Sequence, residues 1–371
     1  MIENKKIKKT YGDVPLLIAV LSLSLIGTIF IYSASNYSAS ATYNDAFFFV
    51  KKQLVGIVLG GVLMIVIGRY DYRKLKKTAL PLAIITPILL SLVFLPVIGV
   101  ENYGAKRWIN LGFITLQPSE IAKFSLILVS ATYFSKYPEK ANSFIGILPI
   151  LFYGGVICLL VILEPNMSIT VCIALLLLVI LLLAGVKIKV FVMMIIPAII
   201  VGIALIFMEP YRLKRLSAFL NPWSNPKGEG YQLLQSLYAL GSGGWFGVGL
   251  FNSRQKYAFL PFSESDFILS IIGEEIGFIG LIFFFLLLGF IVYRGIKIAR
   301  NSNDIFGFML AMGITMIFGI QVMVNALVVT GSIPPTGLPL PLVSSGNTSI
   351  IIFMVEMGVL YNISNKNKLT F

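Results

Sequence analysis

Apolar stretches of about 20 residues follow one another along almost the whole chain, from PLLIAVLSLSLIGTIFIYSAS near the start to IIFMVEMGVLYNI near the end. A helix of that length spans about 30 Å, the thickness of a bilayer's hydrocarbon core. Inside lipid, each backbone N–H and C=O must be satisfied within the protein, which leaves helices as the spanning unit for runs like these. The sequence therefore predicts an all-α polytopic membrane protein. About ten spans are expected, over 15–34, 48–68, 78–99, 118–135, 144–163, 167–186, 189–208, 267–293, 306–330 and 347–364. Only 12% of residues are charged, about half the share of a soluble domain. No polar block is long enough to form a separate soluble unit, so residues 1–371 read as one membrane domain. The basic opening, MIENKKIKKTYGD, leads into a long run with no small-residue cleavage site close behind it, which predicts a retained first span.

Placing the N-terminus in the cytoplasm puts 18 of the 29 Lys and Arg on the inner segments: the tail, 69–77, 136–143, 187–189, 294–305 and the C-terminal end. The positive-inside rule thus predicts both termini on the cytoplasmic side of the cell membrane. The net charge of +13 reflects this topology and attraction to anionic membrane lipids, and implies no nucleic acid. The outer loops are expected near 100–117, 209–266 and 331–346, with the large one between spans 7 and 8. Topology does not ask for the cations placed there: Lys106, Arg107, Arg212, Lys214, Arg215, Lys227, Arg254 and Lys256. The aromatic, apolar part of the large loop, 231–261, is expected to fold as short or re-entrant helices.

The chain has no His, and its two Cys, Cys158 and Cys172, sit inside apolar runs as small packed hydrophobes. A His-based triad and a His/Cys metal site are excluded, which leaves acid–base work to carboxylates, Lys or Tyr. Five segments carry polar groups that need a reason. In GAKRWINLGFITLQPSEIAKF (104–124), Pro118 suits a first helical position and Glu120 a first turn, with Lys123 one turn on. That pair reads as a structural ion pair or part of a site. Lys106 and Arg107 read as an interfacial anchor or as a clamp for an anionic head group. LEPNMS (163–168) reads as a polar turn. The cluster GSGGWFGVG (241–249) is no P-loop, so it signals close backbone packing or amides offered to a phosphate.

In FLPFSESDFILSIIGEEIG (259–277), a helix starting near Ser265 places Asp266 at the water boundary and Glu274 roughly 12 Å deeper. Glu274, Glu275 and Glu356 are expected to pin helices together, whereas Asp266 is expected to stay ionised and reach a substrate. The four prolines of VVTGSIPPTGLPLPLVSSGNTS (328–349) rule out a continuous helix and predict a stiff outer loop that dips into the membrane.

Four of these segments, in this order and spacing, resemble the SEDS family (shape, elongation, division and sporulation), polytopic peptidoglycan glycosyltransferases that include FtsW, RodA and SpoVE. They are GAKRWI with QPSE and a following Lys, GSGG–GVGL–SRQK, LP–DF–GEE–G, and VVTG–PPTG–PLP. The SRQK wording and the loop after VVTG lean toward the FtsW/SpoVE branch. Three positions depart from the family pattern. Asn166 stands where the family usually has an acid after Pro, Phe262 to Ser265 replace a Glu-x-x-Thr pattern before Asp266, and Ser345–Thr348 replace a Tyr-Gly-Gly-Ser type sequence.

The resemblance implies polymerisation of lipid II, an undecaprenyl-diphosphate disaccharide-pentapeptide, on the outer membrane face in division or sporulation. A diphosphate leaves as a stable anion, so one base with cations can suffice where a glycosidase needs two carboxylates. Asp266 is then the general base. Lys106, Arg107, Arg254 and Lys256 would hold donor and leaving diphosphates, and Glu120, Lys123, Glu264 and Ser345 complete the expected substrate-binding set. A divalent cation, Mg or Mn, would suit the diphosphate, but no ligand set is legible. Implied partners are a class B penicillin-binding protein transpeptidase and other divisome or sporulation proteins. A flippase for lipid-linked precursors is the rival reading, and a silent scaffold for a penicillin-binding protein a third.

Overall fold

The computed structural model describes residues 12–367 apart from 97, 103, 104, 111, 113, 114, 208, 209 and 258. The basic stretch 1–11, the tail 368–371, Gly104 and the Arg212 side chain lie outside the described set. Twelve α-helices are described: α1 (Val14–Tyr43), α2 (Phe48–Arg69), α3 (Ala79–Leu92), α4 (Pro118–Lys136), α5 (Phe144–Leu163), α6 (Met167–Leu183), α7 (Ile188–Phe207), α8 (Pro210–Leu220), α9 (Tyr231–Gly243), α10 (Ile268–Arg300), α11 (Ile305–Val329) and α12 (Asn347–Asn367). Ten of them fall on the ten expected spans, and α8 and α9 are the short helices of the long loop. Among the described residues, seven helical stretches are long and apolar enough to cross a membrane. Outside that set, α6 has only 17 residues, the apolar part of α7 is short, and α4 carries Glu120 and Lys123.

The third span is shorter than expected. Helix α3 stops at Leu92 rather than 99, and the chain then forms a small antiparallel sheet, β1 (Gly99–Asn102), β2 (Ala105–Asn110) and β3 (Thr115–Leu116). Gly99 lies opposite Ile109, and Ile109 opposite Leu116. The described part of the 100–117 loop is thus largely strand, in which Ile109 turns inward and Asn110 outward as the two-residue strand period requires.

The second departure is in α10, which is broken at Gly277 (φ 67°, ψ −173°). A Cβ on Gly273 would sit 3.1 Å from Leu281 Cδ1, although an unbroken helix would set residues eight apart about 12 Å along its axis. The chain therefore folds sharply on itself here. The glycine cluster after α9 supplies the hydrogen bonds that the break removes. Val248 and Gly249 N–H donate to the carbonyls of Glu274 and Glu275 (2.9 and 3.1 Å), while Phe278 and Ile279 N–H donate to Gly244 and Trp245 (2.9 and 3.1 Å). Backbone meets backbone so closely that a Cβ on Gly247 would lie 2.2 Å from the Glu275 carbonyl oxygen. Of the two meanings open for GSGGWFGVG, close packing is the one observed.

Tie points along the helices give depths. Arg294 of α10 grips Asp13, the N-cap of α1, through both carboxylate oxygens. Ser33 of α1 donates to Glu275 of α10 at the other end. Twenty residues separate Asp13 from Ser33, about 30 Å of helix, so Glu274 and Glu275 stand near a bilayer boundary and not in mid-membrane. Helix α12 is different. Its Asn362 is tied to Gly68 and Tyr72 at the end of the bundle near the termini, but its first residue, Asn347, packs at Gly56 of α2. Asn347 is thus only about 22 Å above Asn362, and roughly 12 Å short of the far end of α2. Leu338, Leu340, Leu342 and Val343 of the proline-rich segment are buried, with Val343 against Gly27 of α1. The segment dips as expected, and α12 starts at the floor of a recess.

The glycine contact sets up a stability comparison. Gly247→Ala should lower stability by roughly 2–4 kcal/mol, because the backbone at φ 81° is unfavourable for Ala and the methyl strikes the Glu275 carbonyl. Gly289→Ala, in an exposed turn of α10 with open space around it, should be neutral or stabilising by about 0.5–1 kcal/mol. Thermal unfolding of both variants in detergent checks this.

Candidate active site

Asp266 lies in the turn just before α10, partly buried at the floor of the recess. Three backbone bonds fix that turn. Asn325 of α11 donates through Nδ2 to the carbonyls of both Asp266 and Leu338 (2.8 Å each), Ser344 Oγ donates to Ser265 O (2.6 Å), and Ser345 N–H donates to Glu264 O (2.9 Å). The carboxylate faces Gly337, where a Cβ would stand 3.1 Å from Asp266 Oδ2. Gly337 has φ 74°, and a side chain there would press on the carboxylate.

Two guanidinium groups act on the Asp266 carboxylate. Arg215 of α8 donates to Pro335 O (3.0 Å). Arg107 of β2 donates to the carbonyls of Glu164 (3.3 Å) and Pro165. Ser168, in the first turn of α6, donates to Thr336 O, and Gln117 N–H donates to Thr348 Oγ1 (3.2 Å). The N-termini of α4, α6, α10 and α12 therefore converge on the recess, and each brings the positive end of its dipole. Burial pushes Asp266 up to about 6; Arg215 and Arg107 pull it down, while the neighbouring Glu264 adds to the rise. Glu264 is itself raised by burial.

The structure brings together Asp266, Glu264, Ser345 and Arg107 from the expected set. It sets the others apart. Glu120 and Lys123 form a buried pair (2.8 Å), with Gln321 of α11 accepting from Lys123 at 2.9 Å; both side chains are nearly inaccessible. Lys256 is 3% exposed, donates to Phe251 O and lies 3.9 Å from Glu275. Its charge is spent on a buried carboxylate, so the assignment of Lys256 to substrate is corrected. Arg254 is exposed, but its backbone is pinned to Glu274 (3.0 Å) together with Ser253 Oγ (2.5 Å) and Gln255 N–H (3.4 Å). Glu274 and Glu275 thus anchor the SRQK turn. Lys106 lies on β2, partly buried, beside Arg107.

Sequence reasoning placed Arg215 among unexplained cations without assigning it to the site, because nothing in the sequence shows that α8 folds back over the proline-rich segment. Asn325 escaped notice as one polar residue in an apolar span. Glu164 reads in the sequence as part of a turn; its side chain is fully buried with neither oxygen hydrogen-bonded, and burial pushes it up to about 8 against the charge of Arg107. Among the described residues no group of three or more Cys, Asp or Glu is arranged to hold a metal ion.

Fold and site together define a multi-pass helical membrane protein with a recess that presents one carboxylate and two guanidinium groups at one end of the bundle. The family model for the FtsW/RodA/SpoVE cell cycle proteins matches residues 14–369, and the chain belongs to that family. Stage V sporulation protein E of Bacillus subtilis (strain 168) is 38% identical over 362 residues, covering 97% of this chain and 99% of that protein. A probable peptidoglycan glycosyltransferase FtsW of Geobacter sp. (strain M18) is 39% identical, covering 96% of this chain and 97% of its own length. Among solved structures, a chain of a peptidoglycan synthase complex, described for its structural coordination of polymerization and crosslinking, superposes with a TM-score of 0.79 at 26% identity, covering 96% of this chain and 98% of that one. The rod shape determining protein RodA of Thermus thermophilus shares the fold, with a TM-score of 0.69 at 23% identity over 97% and 98% of the two chains.

The Lys256 pair predicts a stability effect. Lys256→Ala leaves a buried Glu275 carboxylate without its counter-charge and should cost about 3 kcal/mol in unfolding experiments. The KM for an anionic lipid substrate should hardly change.

Proposed function

We propose that this chain is a peptidoglycan glycosyltransferase that polymerises lipid II, in division or sporulation, with Asp266 as general base. The observation that carries this reading is the position of Asp266: a partly buried carboxylate raised to about 6 in the turn before α10, flanked by Arg215 and Arg107. Its relatives are named as peptidoglycan glycosyltransferases of the FtsW type, and a solved neighbour belongs to a peptidoglycan synthase complex.

The chemistry follows from the charges. An acceptor sugar hydroxyl attacks the donor's anomeric carbon, and its proton passes to the Asp266 carboxylate as the new C–O bond forms. The bond from that carbon to the diphosphate breaks, and the diphosphate keeps the electron pair. Arg107, Arg215 and the four converging helix termini are placed to take up this negative charge, and guanidinium forks match phosphate oxygens well. A base raised to about 6 is ionised at neutral pH yet basic enough to accept a proton from the reacting hydroxyl.

Charge asymmetry orients the protein. The basic segments 69–77 and 294–305 lie at the end of the bundle opposite the recess, so the recess opens on the outer face of the cytoplasmic membrane and both termini are cytoplasmic. Glycan strands made there need cross-linking, which suits a class B penicillin-binding protein transpeptidase as partner, alongside other division or sporulation proteins.

Two measurements on purified protein in detergent test the reading. Asp266→Asn should abolish strand formation from lipid II while retaining the folded helical signal; strands made at a normal rate by this variant would remove the proposed base. The native rate should fall as pH drops through about 6, since protonation of Asp266 removes the acceptor for the hydroxyl proton. A rate that stays level down to pH 4.5 would speak against it.

A further inference from the structure

Glu164 stands beside the reaction centre, and the chemistry above leaves it without a task. Its carboxyl is 0% exposed, and neither oxygen has a hydrogen-bond partner among the described residues. Leaving a buried polar group in that state costs about 1–3 kcal/mol, so a place in the fold alone does not account for it. Around it, β2 presents the Arg107 guanidinium, which is bonded to the carbonyls of Glu164 and Pro165. The first turn of α6 presents only neutral groups, Asn166 as N-cap and Ser168. The proline-rich segment joins α6 where Thr336 O accepts from Ser168; it carries Arg215 at Pro335 and reaches Asp266 at Gly337. Arg107 is thus the charged group that these contacts bring to Glu164, and the same charge acts on Asp266.

We infer that Glu164 is a positioning residue that sets the charge Arg107 offers to the substrate: as a neutral acid it leaves the guanidinium charge to a diphosphate, and as a carboxylate it recaptures that charge. The inference rests on the proposed function for its substrate, though not for its geometry. Asn166, where the family usually carries an acid, makes the point specific to this chain, because the acid here lies two residues earlier and inside the wall. Burial pushes Glu164 up to about 8, with Arg107 opposing the rise, so the switch between the two forms falls just above neutral pH. The neutral form dominates below that value and the carboxylate above it.

The test separates substrate affinity from turnover. The native protein should show an apparent KM for lipid II that rises about tenfold between pH 7 and pH 9, the change expected for one group titrating at about 8, with kcat nearly level. Glu164→Gln cannot ionise and should lose this alkaline rise; Glu164→Asp should keep it with a displaced midpoint. Binding of undecaprenyl diphosphate to the same proteins, measured without turnover, should follow the same pattern. Arg107→Gln should bind weakly at all pH values with no alkaline limb.

An alkaline rise of equal size in native and Glu164→Gln proteins overturns the inference. A Glu164→Gln protein that does not fold leaves the decision to the Arg107→Gln limb and the native binding titration; a level native titration then overturns it as well. A native protein that binds undecaprenyl diphosphate with the predicted limb but makes no strands would leave this inference standing and sink the proposed function.

Discussion

The architecture depends on satisfying backbone hydrogen bonds where helices fail. A break inside a membrane helix exposes N–H and C=O groups that lipid cannot solvate. Here the break at Gly277 is covered by another stretch of irregular backbone, residues 244–249, with four N–H donors shared between the two stretches. Such an arrangement requires glycine on both sides, since any Cβ at Gly247 or Gly277 would collide with the opposing main chain. The side chains of Glu274 and Glu275 finish the work by accepting from Ser242, Ser253, Arg254 and Ser33. The paired glutamates of GEEIG are therefore the clamp that lets α10 begin inside the bundle and carry Asp266 at its head.

Electrostatics in the recess arise from several modest contributions that point the same way. Burial of Asp266 would by itself disfavour the ionised form, and Glu264 adds to that. Arg215, Arg107 and four helix termini act in the opposite sense. The resulting balance keeps a carboxylate charged at neutral pH while leaving a surplus of positive potential for an anionic ligand. Helix α8 has a particular part in this, because it folds back after α7 and brings Arg215 to the proline-rich segment through Pro335.

Much of this was legible from the chain. The ten spans followed from apolar length, and the short helix α9 from the aromatic content of 231–261, whereas α8 lies outside that stretch. The non-helical course of the proline-rich segment followed from prolines that no helix would accept, which left a dip into the membrane as one option. The sheet of residues 99–116 was not legible, because its strands have two to six residues and their alternation is lost among polar and glycine positions. Depth was the other difficulty. Counting residues from Asp266 along an assumed straight helix sent Glu274 toward mid-membrane, whereas the first part of α10 brings Glu275 to Ser33 near a bilayer boundary, and the chain folds back only after that, at Gly277. Lys256 and Arg215 show the same limit: both are loop cations in the sequence, and only the tertiary path buries one against Glu275 and brings the other to the recess.

The late start of α12 has an electrical consequence. Water reaching down to Asn347 would leave about 22 Å of insulating protein beneath it, where the surrounding lipid has about 30 Å. The membrane voltage then drops over a thinner slab, and the local field is steeper by about one third. Lys123 and Glu120 lie just under that floor, locked to each other and to Gln321. A fixed, internally neutralised pair is what such a slab requires, because charges free to move there would respond to every change in membrane potential.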